Sequence, residues 1–143
     1  METTTKPLVM ERTYNASVER VWSAITDVEK MRQWYFNLES FEARVGFKFQ
    51  FAASCDDKEV YVHLCEVTEV EEGKKITYSW KYEDREGISY VTWELLPEGN
   101  KTKLILTHRG LETFPAHENF TRDSFNGGWT HFLGTLQDYV ENN

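Results

Sequence analysis

The chain of 143 residues contains no apolar run approaching the roughly 20 residues that span a bilayer. Its opening METTTKPL lacks both an apolar core and a small-residue cleavage site, so residues 1–7 read as a short flexible tail and the expected location is the cytoplasm. Cysteine is scarce: Cys55 and Cys65 stand ten positions apart with no CxxC and no disulfide-like framework, which suits a reducing compartment. The sequons at Asn15, Asn100 and Asn119 then carry no information. Cations are not clustered either. With 24 acidic against 16 basic residues the net charge is −8. Phosphate backbones and anionic membrane surfaces both require grouped Lys and Arg, so neither nucleic acid nor membrane insertion is expected.

Motifs that carry chemistry are equally thin. There is no Gly-x-Ser-x-Gly elbow, no Gly-rich loop ahead of a helix, and no evident base partner for either cysteine. His63 and Cys65 share a strand face, yet a metal centre needs three or four ligands and no other Cys or His completes one by pattern. Most carboxylates fall in turns (56–57, 69–72, 83–86), which leaves Glu66 and Glu94 as mid-strand candidates for an acid or base. His117 and His131 read as solvent-facing. No catalytic residue, metal or cofactor is assigned, and the balance of motifs is against an enzyme.

What the chain has is aromatic bulk: 15% Phe, Trp and Tyr within 40% hydrophobic residues, at a mean hydropathy of −0.60. Such a composition describes one globular domain, residues 1–143, able to bury about two-thirds of its unfolded surface. Residues 8–14 alternate as a first strand. Ser17 is placed as an N-cap ahead of Val18, Val21, Trp22 and Ile25 at helical spacing, and Thr26 with Glu29 has the capping-box form for a second short helix carrying Val28, Met31 and Trp34. From Phe41 to Leu111 the period becomes two, as in a meandering antiparallel sheet: Phe47, Phe49 and Phe51 share one face; Ile76, Tyr78, Trp80 and Tyr82 another; Val91, Trp93 and Leu95 a third. Turns are expected at 71–74, 83–87 and 97–100, and the last strand at 102–111.

After Pro115 the period returns to 3.6, with Phe125, Trp129, Phe132, Leu133, Leu136, Tyr139 and Val140 on one stripe. Gly127 and Gly128 interrupt neither its phase nor its bulk. The spacing predicts a helix from about Arg122, with Gly128 on the buried side leaving room beside the sheet; the alternative is a loop up to Trp129. A helix interior Gly costs roughly 1 kcal/mol against Ala, so the first reading demands a reason for the glycines.

Four further stretches complete a pattern. NASVERVWSAITDVEKMRQWY (15–35), CEVTEV (65–70) with ITYSW (76–80), TKLILTHRGL (102–111) and GGWTHFLGTLQDYV (127–140) occur in the order found in the START/Bet v 1-like, helix-grip superfamily. They resemble in particular its branch named for the activator of the heat-shock-protein-90 ATPase. Cys65 departs from that pattern, which has Gly there. The resemblance implies an α+β helix-grip fold: a curved antiparallel sheet of about six to seven strands wrapped around a long C-terminal helix, with two short helices after the first strand.

It also implies a cavity between sheet and helix that holds a small apolar or amphipathic molecule. Trp34, Phe47, Phe49, Cys65, Tyr78, Trp80, Trp93, His108, Phe125, Gly128, Trp129 and Phe132 are expected to line it, with His108 as polar anchor or as a structural histidine bonded to backbone. The competing view of the rings is that they simply fill a core. The other functional classes carried forward are a chaperone-associated interaction domain, which requires an exposed apolar patch, and a cyclase- or hydratase-like enzyme, which requires a polar dyad deep in the cavity.

Overall fold

Alternating strands form the larger share of the regular elements, and the computed structural model describes residues 7–36, 38–53, 60–83, 85–114 and 121–142. The elements are β1 (Leu8–Tyr14), α1 (Val18–Thr26), α2 (Val28–Trp34), β2 (Lys48–Ala53), β3 (Tyr61–Glu71), β4 (Lys75–Tyr82), β5 (Ser89–Glu98), β6 (Lys101–Arg109) and α3 (Arg122–Asn142), with a 3-10 turn at Leu111–Thr113. Six antiparallel strands form one open sheet in the order β1-β6-β5-β4-β3-β2. The two short helices therefore connect its opposite edges. This is the expected α+β architecture; the alternation puts Phe49, Cys65, Tyr78, Trp80, Trp93, Leu106 and His108 on the face that α3 covers. Residues 1–6, Cys55, the 56–57 acidic pair, His117 and Asn119 lie outside the described residues.

Two local expectations need correction. Asp27, not Thr26, caps α2: its carboxylate accepts from the backbone of Glu29 and Lys30, while Thr26 closes α1 and donates its hydroxyl to the Trp22 carbonyl at 2.7 Å. Asp is as good an N-cap as Thr, and a Thr inside the last turn can bond back four residues instead. The 97–100 turn is also tighter than expected, because Pro97 and Glu98 stay in β5, paired with Thr102 and Lys101, and only Gly99 and Asn100 connect the strands. Pro97 has no N–H for the ladder and sits near the strand end, where the loss is small.

Helix α3 runs unbroken from Arg122 through both glycines, so the loop alternative falls. The placement of Gly128 does not hold. It is exposed, as is Gly127, and a Cβ on either would meet nothing within 4 Å. At 100° per residue Gly128 lies about 60° off Phe125, at the margin of the stripe, while the buried line follows Phe125, Trp129, Leu133, Leu136 and Val140. Gly134 has the closer neighbour: Arg12 of β1 runs beneath it, with Nη1 3.7 Å from a Cβ built there, and donates to Gln137 Oε1 at 3.1 Å. The strand is further tied to the helix by Tyr14, which donates to the Leu133 carbonyl at 3.0 Å.

Candidate functional site

The inner face of the sheet is panelled with rings that touch one another. Trp93 meets Trp34 and Trp129 edge-on at 5.8 and 5.7 Å, and Trp80 lies 5.5 Å from Trp129. Each of these four indoles bonds through its N–H. Trp34 donates to the Ala24 carbonyl, Trp80 to Tyr82 Oη, Trp93 to Tyr78 Oη and Trp129 to His108 Nδ1. Such pairing is what allows so much amphipathic bulk to be buried, since an indole N–H left dry would cost about 1–3 kcal/mol. Among the described residues no buried side-chain nitrogen or oxygen lacks a partner.

His108, fully buried on β6, is the first polar insert. An indole N–H can only donate, so His108 Nδ1 is the acceptor and the neutral ring carries its proton on Nε2. Nε2 then donates to Ser89 Oγ at 2.7 Å, and the Ser89 hydroxyl donates to the Trp80 carbonyl at 2.9 Å. Burial pushes the imidazole down to about 3 from its usual 6.5. Both ring nitrogens of His108 are thus engaged by side chains, Ser89 and Trp129, rather than by backbone.

The second insert joins distant segments. Tyr35 ends α2 and Tyr78 sits mid-β4, and their hydroxyls meet at 2.7 Å while Trp93 Nε1 donates to Tyr78 Oη at 3.1 Å. Desolvation raises both phenols far above their ordinary value and keeps them neutral. Cys65 lies beside the pair, its thiol likewise pushed up by burial. His63 stands on β3 against Phe51, rings stacked at 4.5 Å, with Nδ1 3.0 Å from the Tyr61 carbonyl; burial lowers it to about 4.

Phe36 joins these rings from outside the sheet and α3. It belongs to the segment after α2, is half-buried, and inserts among Phe51 at 4.2 Å, Phe132 at 4.7 Å, Tyr35 at 4.8 Å, His63 at 5.7 Å and Trp80 at 6.1 Å. Of the residues expected around a cavity, Trp34, Tyr78, Trp80, Trp93, Trp129 and Phe132 converge on this nest. Phe49 and Cys65 adjoin it, Phe47 stacks outward from Phe49 on its β2 side, and Phe125 packs near His108. Gly128 is not part of it. Tyr35, Phe36, Phe51 and Ser89 are absent from the expected lining, and His63 entered only as a possible metal ligand; the WYF triplet at 34–36 and the run Phe47, Phe49, Phe51 are the signals that could have found three of them.

On the outer face, Lys48, Gln50, Leu64, Glu66, Ser79, Lys81 and Ile88 line an open depression of about 390 Å³ that Phe49 and Cys65 of the expected lining also border. Glu66 and Glu94 both lie on that outer face, half-buried, and so away from the rings. Among the described residues no three His, Cys, Asp or Glu gather as a metal site, and no helix is long and apolar enough to cross a membrane.

Solved structures share this fold. A protein from Chromobacterium violaceum, CV1439, matches with a TM-score of 0.82 at 20% identity, covering 96% of this chain and 99% of its own. MLL2253 from Mesorhizobium loti matches at 0.77 and 25% identity over 96% and 98%. DynU16, a protein in the dynemicin biosynthetic locus, matches at 0.78 and 22% identity over 96% of this chain and 48% of its own. No curated protein matches at the sequence level. Residues 15–141 match the family described as Activator of Hsp90 ATPase homolog 1-like protein, and the chain belongs to that family.

Proposed function

We propose that the chain binds a small, flat, apolar or amphipathic molecule on the inner face of its sheet, among Tyr35, Phe36, Phe51, Trp80, Trp129 and Phe132. The observation that supports this is Phe36. Its ring comes from neither the sheet nor α3, yet it fills a nest of five rings and is only partly buried. Withdrawing a Phe from such a place costs about 1.5–3 kcal/mol of lost burial, and a ligand ring taking the same position restores it, so the exchange is near neutral before any further contact is made. A built-in ring that a ligand can replace reconciles an aromatic interior that is filled with one that binds.

The test is a panel of fatty acids, sterols, flavonoids and quinones followed by NMR shift perturbation. Binders move the indole N–H resonances of Trp80 and Trp129 together with the Phe36 backbone. If no compound moves them, the proposal fails. Association with a chaperone is a second reading, carried by the family's description.

A further inference from the structure

The Tyr35, Tyr78 and Trp93 cluster holds more hydrogens than it can use. Three donors meet there, two phenolic O–H groups and one indole N–H, but among the described residues the acceptors they use are just the two phenolic oxygens. If Tyr78 donates to Tyr35, the Tyr35 hydrogen is left over. If Tyr35 donates to Tyr78, which also receives Trp93, the Tyr78 hydrogen is left over. The described residues make no further hydrogen bond to either hydroxyl. Tyr35 is 9% exposed and Tyr78 2%, so bulk water does not absorb the surplus. Cys65 beside them offers only a weak sulfur acceptor.

We infer that the Tyr35–Tyr78 pair is a hydrogen-bond donor site for a neutral carbonyl oxygen on a flat apolar ligand, such as a ketone or quinone. This rests on the ligand-binding reading above and narrows it. The surplus hydrogen sets the polarity of the missing partner: it must accept. Burial sets its charge. The rings around the pair are Trp34, Phe36, Trp93, Trp129 and Phe132 about Tyr35, and Phe49 against Tyr78, with no Lys or Arg among them. A carboxylate buried there would be uncompensated, whereas a ketone loses only its water contacts and regains one hydrogen bond. Fatty acids are thereby disfavoured.

The experiment compares 1-tetralone with tetralin, two molecules of one shape differing by a carbonyl, and tetralin-1-carboxylate at neutral pH. A ketone entering a purely apolar nest binds worse than its hydrocarbon because the carbonyl is desolvated. With the hydroxyl pair present, tetralone binds at least as tightly as tetralin, and the carboxylate binds weakest. In Tyr35→Phe/Tyr78→Phe the ring volume is kept, and the affinity for tetralone relative to tetralin falls about tenfold or more, the worth of one hydrogen bond. An unchanged ratio in that variant, or tightest binding by the carboxylate, overturns the donor site while leaving the ligand reading intact. Failure of all three to bind removes both.

Because the double variant leaves the Trp93 N–H dry and can fold poorly, the wild-type protein supplies an independent readout. The infrared carbonyl band of bound 13C-labelled tetralone moves below its position in a hydrocarbon solvent. A band at the hydrocarbon position refutes the inference.

Discussion

Lowering the pH should unfold this protein through His108, by an amount the structure sets. The imidazole is fully buried, receives Trp129 on Nδ1 and gives its proton to Ser89, so a second proton has no place to go without breaking the Trp129 bond and charging the core. Its folded value lies near 3, against 6.5 for an ordinary histidine. The unfolded chain therefore takes up the proton first: the stabilisation is complete above about pH 6.5 and is lost as pH falls toward 3. Each unit of that window is worth about 1.4 kcal/mol, so about 2 kcal/mol disappears by pH 5 and about 5 kcal/mol by pH 3. His63, lowered to about 4, adds a parallel loss of similar slope over the upper part of the range.

Against a total stability of about 5–15 kcal/mol the two together are large. The assay is urea denaturation from pH 7 to pH 4 on the wild type and His108→Gln. The variant starts less stable, but its stability changes less steeply with pH, by about 1.4 kcal/mol per unit. NMR of the folded protein supplies the direct check: the His108 ring signals stay at neutral-imidazole positions throughout the folded range. Equal slopes in the two proteins, or a folded-state titration near the ordinary value, would refute the account of the buried neutral ring.

Three more outcomes are expected. Gly127→Ala and Gly128→Ala each raise stability by about 1 kcal/mol, or a few degrees in Tm, because the added methyl meets open space; a fall in Tm would mean that these positions are not plain exposed helix. Gly87→Ala acts the other way: with φ +100° and a Cβ driven into the Thr113 carbonyl, it loses more than 2 kcal/mol in denaturant melts, and a neutral result would disprove the close approach. Cys65, 5% exposed with its thiol held protonated by burial, reacts with a thiol reagent in a Cys55→Ser background only after urea unfolding; fast labelling of the folded protein contradicts the placement.

The sequence by itself determined the architecture, because hydrophobic period is a local property that survives whatever the chain later packs against. Alternation at Phe49 and Phe51, at Tyr78, Trp80 and Tyr82, and at Val91, Trp93 and Leu95 assigned the inner face, and the stripe from Phe125 to Val140 assigned the covering helix. Glycine defeats that logic, since it has no side chain to declare a side; Gly128 at the margin of the stripe could be placed only by the neighbours α3 acquired. The partners of the polar inserts were equally illegible. Tyr35 and Tyr78 are 43 positions apart, and Trp129 and His108 are 21 apart. Their hydrogen-bond counts exist only once the helices are laid across the sheet. Which residues are apolar is written along the chain, but which donor lacks an acceptor is decided by distances between segments, and those belong to the tertiary structure alone.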